Sequence, residues 1–398
     1  MNARWSGVRR LLAVRLDKLG DVLMTTPALA ALAESLPDAR LTLLASKGGV
    51  AAAVHVPAVH DLIAFEAPWV AGFGKGKEAA ASARAPQIAL EASDAGESHA
   101  SLGLAEARLV DRLADARFDA AVIFTVCTQS ALPAALLCRM AGIPLRLAHC
   151  REDPCGLLTD WVRDFDVVAD GMRHEVERQL ALVASVGCYA SDERLRFRVT
   201  AAHREACVAR LARAGLATLA RYFVVHVGAS APARRYPAER FGVAADSVAA
   251  RHGLTAVFTG DAGEHALVEQ ARGAMRAQSL SLAGQLDLGE LGALLEGAEL
   301  LIANNTGPVH LAAAVGTPVV DLYALTHPHH TPWQVAARVL NHDVPCRNCL
   351  HSICPQGHHA CLLGVRPEAV ADAARDLLGT VAPAGRRRPP EPALHAPV

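Results

Sequence analysis

Short apolar runs alternate with segments of helical period along most of this chain. Residues 11–16 (LLAVRL) read as a buried strand and 17–20 as a turn. Over 21–36, Val22, Leu23, Leu29, Leu32, Ala33 and Leu36 recur at helical spacing, which predicts a helix ending before Pro37. Pro27 falls inside it and predicts a kink or a later start, because proline has no N–H for the helix ladder. Strands are predicted at 41–45 and 62–65, with a helix opening at 49–54. Helices at 105–116, 131–141 and 174–186 interleave with strands at 120–126 and 145–149, and 150–170 is expected to be irregular. The alternation resumes with strands at 222–227, 255–259 and 279–282 and helices at 238–251, 263–275 and 286–296. A last helix is predicted at 367–378. This order predicts an α/β protein with two parallel-sheet domains, 1–190 and 191–378, facing a central cleft.

The densest signal is residues 300–323, LLIANNTGPVHLAAAVGTPVVDLY. It reads as strand, tight polar turn, short helix, strand. Pro308 suits the first turn of a helix, and Thr306 or Asn305 is placed to cap it. A helix that opens directly after a strand aims N–H groups and a positive dipole end at the loop, which suits a phosphate or diphosphate. Any βαβ corner also needs a cap and a glycine, so the local pattern leaves both readings open.

Composition narrows the field. At 398 residues the chain is long enough for about two domains. A net charge of −1 and 4% aromatics give neither the electrostatic pull nor the stacking surface expected of a nucleic-acid binder. Residues 1–10 followed by LLAVRLD do not read as an export signal. The apolar stretches 120–138 and 300–320 are interrupted by polar residues, Pro133 and Gly307, and divide better into strand plus helix than into membrane spans. A cytoplasmic protein is expected. Residues 75–101, rich in Ala, Ser, Glu and Gly, are expected to be a disordered insert, and the proline- and arginine-rich 379–398 a disordered tail.

Ligands of such sheets sit beyond the carboxyl ends of strands, so polar residues there carry the candidate chemistry. After the first strand, Gly20 permits a tight turn and Asp21 stands at the mouth of a helix. A carboxylate there can take a proton from a hydroxyl, although an acid in a first helical turn is also favoured by the dipole alone. After 222–227 come Ser230, Arg234 and Arg235, which offer a hydroxyl and two cationic forks for phosphate. After 255–259 come Gly260 and Glu264, a glycine turn with a carboxylate suited to ribose hydroxyls. No GxxxxGK[ST] loop is present.

Together RLDKLGDVLMTTPAL, VHVGAS…RRYPAERF, TGDAGEHA and LLIANNTGPVHLAAAVGTPVVDLY resemble glycosyltransferase family 9, the ADP-heptose:lipopolysaccharide heptosyltransferases. The resemblance implies a GT-B fold of two Rossmann-like domains, with the acceptor on the N-terminal and the nucleotide-sugar on the C-terminal one. It implies inverting transfer that requires no metal, from ADP-heptose to a lipid A–Kdo core, with peripheral contact at the cytoplasmic face of the inner membrane. On that likeness Asp21 is the base, supported by Gly20. Arg234, Thr306 and Gly307 match the family's diphosphate-binding positions, with His310 in support, and Ser230, Arg235 and Asn305 are expected to join them from their places beside that turn. Gly260 and Glu264 meet the nucleoside. Many members carry aspartate where this chain has Asn305. The alternatives are a sugar-nucleotide epimerase of the same fold and an inactive nucleotide-sugar-binding protein.

Among ten cysteines, Cys346, Cys349, Cys354 and Cys361 cluster in segment 346–361 with His351, His358 and His359. The spacing fits a structural zinc, two disulfides or a thiol-rich loop.

Overall fold

The computed structural model describes residues 3–71, 103–167, 172–217, 220–325 and 329–380. The expected insert at 75–101 and the expected tail from 381 onward lie outside the described residues. Residues 379 and 380, expected to start that tail, instead end the Pro367–Thr380 helix.

Two six-stranded sheets form, and every strand pair is parallel. The first contains β1 (Arg10–Arg15), β2 (Arg40–Ala45), β3 (Asp61–Ala64), β4 (Ala120–Ile123), β5 (Leu145–Cys150) and β6 (Asp160–Arg163). The second contains β7 (Tyr222–His226), β8 (Thr255–Thr259), β9 (Ser279–Ser281), β10 (Leu301–Asn304), β11 (Val319–Leu322) and β12 (Ala337–Leu340). The orders are β3-β2-β1-β4-β5-β6 and β12-β11-β10-β7-β8-β9. Each half is therefore a doubly wound sheet whose strand order reverses beside its own first strand, between β1 and β4 and between β7 and β10. Leu11 lies opposite Ala120 at the first reversal, and Leu301 opposite Val224 at the second.

Central strands are buried on both faces and read as unbroken apolar runs; β4 and β10 have no exposed residue. Edge strands lack that signal. β6 lies where 150–170 was expected to be irregular, because its residues are only half-buried or exposed. β12 and the Ala201–Arg213 helix were likewise absent from the predicted pattern. That helix buries only Cys207 and Leu211, and Thr200 caps it by accepting from His203 N at 3.2 Å.

Pro27 neither starts nor breaks its helix, which spans Leu19–Ser35. Proline at this position leaves the Leu23 carbonyl without its i+4 donor, and the Thr26 hydroxyl donates to it instead at 2.6 Å. No helix among the described residues is long and apolar enough to cross a membrane. The halves meet where the Leu19–Ser35 helix packs on the Gly307–Val315 helix. Met24, Val176, Leu195 and Ala313 form a buried apolar cluster across this seam.

Candidate active site

Both strand-order reversals end in the opening turn of a helix, and the two openings touch. A Cβ on Gly20 would fall 2.8 Å from His310 Cδ2, and one on Gly307 would fall 2.7 Å from Leu19 Cδ2. Bare backbone at these two positions permits the approach.

The first opening is closed from within. Asp21 is the third residue of its helix, and its Oδ2 accepts the Lys18 amide at 3.2 Å. Its Oδ1 accepts from Arg15 Nη2 at 3.3 Å. Arg15 ends β1 and is fully buried. The same guanidinium pairs with Asp17 at 3.1 Å and with Glu175 Oε1 at 3.1 Å. Asp17 also accepts from Gln129 Nε2 at 2.6 Å. Glu175 opens the Glu175–Ala184 helix, and its other oxygen meets His329 Nε2 at 3.1 Å. His329 belongs to the second half and donates through Nδ1 to the Arg173 carbonyl at 3.1 Å. A carbonyl at one ring nitrogen and a carboxylate beside the other favour the imidazolium form. Burial opposes that charge, but contacts with Cys127 and Glu175 outweigh it and lift its pKa to about 10. Burial likewise opposes ionisation of Glu175, and Arg15 and His329 overcome it, holding the carboxyl well below its usual range. Burial raises Asp17, against the pull of Arg15. Glu175, His329 and His330 bring three donor atoms within 4.8 Å of one another. The Arg15 guanidinium and the charged His329 already fill the electrostatic role of a metal there, so this cluster reads as an ionic latch between halves.

The second opening is left uncapped. Thr306 takes the N-cap position with extended backbone, but its hydroxyl turns back to donate to the Asn304 carbonyl at 3.3 Å. Pro308 sits one residue inside the helix start at Gly307. Asn304 clamps the neighbouring strand-end loop: its Oδ1 accepts from Tyr236 N at 2.9 Å and its Nδ2 donates to the Val227 carbonyl at 2.8 Å. That clamp holds the Pro232–Arg234 turn beside the opening. Arg234 is half-buried, its charge acts on His310 and Asp321, and its Nε is buried without a partner among the described residues. An unsatisfied buried guanidinium N–H is costly unless an anion meets it. Burial drives His310 down to about 3, with His174 and Arg234 adding to the effect, so its ring is neutral. Asp321 is pushed by burial up to about 7, against the Asn305 amide and Arg234.

A profile of glycosyltransferase family 9 (heptosyltransferase) matches residues 107–360. The chain belongs to this family. Lipopolysaccharide heptosyltransferase 3 of Escherichia coli is 24% identical over 322 residues, 79% of this chain and 83% of that one. Lipooligosaccharide heptosyltransferase 2 of Campylobacter jejuni is 35% identical, but over 82 residues that span only 26% of its length. In fold, the crystal structure of a family 9 glycosyl transferase from Veillonella parvula superposes with a TM-score of 0.71 at 22% identity, covering 93% of this chain and 97% of that one. E. coli ADP-heptose lps heptosyltransferase II gives 0.66 at 21% identity, covering 93% and 98%. The architecture is GT-B, as the resemblance implied.

Within this family fold the residues singled out from the sequence divide into two groups. Gly20, Asp21, Arg234, Thr306, Gly307 and His310 come together around the touching helix openings. Gly260 and Glu264 lie two strands from β10, beyond β7, at the end of β8. Glu264 accepts from Asp261 N at 2.9 Å, and its carboxylate crosses over Gly228, where a Cβ would be 2.1 Å away. Ser230 is exposed. Arg235 departs from expectation: it is exposed and donates from Nε to the Ala229 carbonyl at 2.8 Å, so the turn sends the two arginines opposite ways. Asn305 and Thr306 depart too. The buried Asn305 amide donates inward to Asp321 Oδ2 and to the His330 carbonyl, each at 2.9 Å, and neither residue caps the helix. Arg15, Asp17, Glu175, His329, Asn304 and Asp321 were missed. A charge inside an apolar strand, as Arg15 is in LLAVRL, was the one signal available for them.

Cys346, Cys349, Cys354 and Cys361 are free thiols lining one small cavity together with His358 and His359. No pair forms a disulfide in this structure.

Proposed function

We propose that the protein transfers a heptosyl group from ADP-heptose to a lipopolysaccharide core or related glycolipid, with inversion and without a metal in the transfer step. The observation that carries this reading is the contact between two helix openings, one holding Asp21 and the other uncapped beside Arg234. As the glycosidic bond breaks, the leaving nucleoside diphosphate gains negative charge. The Gly307 opening and the unpaired Arg234 N–H meet that charge with donors fixed in advance. The neutral His310 adds no competing charge there, and burial disfavours the charge on Asp321. Across the seam, Asp21 takes the proton of the acceptor hydroxyl that attacks the anomeric carbon from the face opposite the leaving group. Arg15 and the Lys18 amide hold both carboxylate oxygens in place. One displacement requires no protein nucleophile. Ser230 and Glu264, at the neighbouring strand ends, are assigned to the donor's diphosphate and ribose. The glycolipid acceptor implies peripheral contact with the cytoplasmic face of the inner membrane.

The test is incubation with ADP-heptose, with and without a lipid A–Kdo acceptor, followed by mass spectrometry of donor and acceptor. Acceptor-dependent release of ADP and a heptose mass added to the glycolipid are expected. Conversion of the donor alone, or binding with no turnover, would overturn the transferase assignment in favour of an epimerase or an inactive binder.

A further inference from the structure

Asp321 is a carboxyl inside an apolar strand. It lies in β11 between Val320 and Leu322, opposite Ala303 of β10, and is fully buried. A carboxyl in such a place is costly unless it is paired. Its Oδ2 accepts from Asn305 Nδ2 at 2.9 Å, while its Oδ1 is buried without a partner among the described residues. The other three residues of β11 are apolar, and a fourth would pack there without that cost. What the carboxyl does is therefore to be sought in its one bond, the bond to Asn305.

We propose that Asp321 is a positioning residue: it fixes the Asn305 amide with its nitrogen inward, so that Asn305 Oδ1 receives a hydroxyl of the transferred sugar. Both amide protons of Asn305 are taken by acceptors, Asp321 Oδ2 and the His330 carbonyl, each 2.9 Å from Nδ2. Turned over, the amide would set its oxygen against those same two acceptors, so one orientation is stable. Oδ2 remains an acceptor whether or not the carboxyl is protonated, because a proton goes to Oδ1, which no N–H faces. Asn305 Oδ1 is what is left over. It has no protein partner among the described residues, and it is not sealed from solvent as Arg234 Nε, His310 Nδ1 and Asp321 Oδ1 are. Asn305 precedes the uncapped Gly307 opening by two residues, so this oxygen faces the vacant mouth.

An amide oxygen only accepts hydrogen bonds. A diphosphate presents oxygens that also only accept, so it is the wrong partner for Asn305, although it suits the Gly307 amides and Arg234 close by. A hydroxyl is the right partner. The ribose is assigned to Glu264, two strands from β10, which leaves the hydroxyls of the sugar on the far side of the diphosphate. Asn305 thus reads the sugar and not the phosphates. An aspartate at position 305 could not be held in this way, since two carboxyls would then face each other. The inference rests on the transferase reading above.

The experiment compares ADP-heptose with ADP on the full chain, by steady-state transfer to lipid A–Kdo and by calorimetry. Asp321→Asn keeps the shape of the side chain but offers the Asn305 amide a donor as well as an acceptor, so the amide can turn over. The KM for ADP-heptose should rise about 10-fold, more than kcat falls, with ADP affinity at the wild-type level. Asn305→Ala removes the oxygen itself and should give the same split. Asn305→Asp should be worse than either, and adding Asp321→Asn to it should recover part of the loss, because one amide again faces one carboxyl. Loss of ADP and ADP-heptose affinity by the same factor in Asp321→Asn and Asn305→Ala would assign Asn305 to the diphosphate and overturn the proposal. A lower thermal midpoint with KM unaltered would make Asp321 a structural residue and overturn it too. Wild-type turnover in the same assay tests the transferase reading by itself. If wild type binds ADP-heptose without transfer, that reading falls, and the calorimetric comparison of the two ligands still decides the role of Asn305.

Discussion

The two strand-order reversals share a topology and solve opposite electrostatic problems. At the end of β1, three carboxyls gather around Arg15, and Asp21 occupies its own helix opening. At the end of β10 the corresponding opening has no side-chain cap, and the groups around it are Arg234, a neutral imidazole and amides. On the proposed function, the mouth filled from within holds the base and the vacant one takes the leaving anion. On that reading, two sheets of the same topology become the two sides of one reaction through the side chains around these mouths.

The sharpest way to break this contrast is at the filled mouth. Asp21→Asn keeps the cap to Lys18 N and removes the proton acceptor; transfer should fall about 100- to 10,000-fold while ADP affinity, by calorimetry, stays near wild type. Near-normal turnover would remove Asp21 from the reaction. Arg15→Leu leaves the buried Asp17 without a cationic partner and Glu175 with His329 alone, and should cost about 3–5 kcal/mol in denaturant unfolding. Arg234→Ala tests the vacant mouth: the rate should drop roughly 100- to 1,000-fold with weaker ADP binding, whereas Arg235→Ala should change either quantity far less. Gly20→Ala pushes a methyl into the His310 ring and should cost about 1–3 kcal/mol as the seam is forced apart.

The smallest effect concerns the latch. The folded pKa of His329, about 10, is raised above its unfolded value near 6.5. Its stabilisation is complete below about pH 6.5 and disappears as pH rises through about 10. The gap in thermal midpoint between wild type and His329→Gln should therefore be widest near pH 6 and narrow steadily towards pH 10. A gap that widened with pH would contradict a charged His329.

The sheet cores were legible because strands buried on both faces read as plain apolar runs, as in LLAVRL and LLIAN. The NNTG turn and Asp21 were legible because turn residues and helix mouths leave local marks. Edge strands β6 and β12 left none, since half-exposed residues carry no run. The partners of Arg15 were hidden for another reason: Asp17, Glu175 and His329 are distant in sequence and meet only through tertiary packing. The inward turn of Asn305 depended on Asp321, a carboxylate inside β11 whose burial an apolar reading of VVDL overlooks. Arg234 and Arg235 looked equivalent until the short helical turn at Pro232–Arg234 separated them.

Glycines at 20 and 307 act as the bearing surfaces of this machine. Because main chain rests on neighbouring side chain there with nothing interposed, the gap between Asp21 and the Gly307 opening is gauged by atomic radii, and loop length has no say in it. Any side chain added at either position becomes a shim, and the catalytic spacing would change with its thickness.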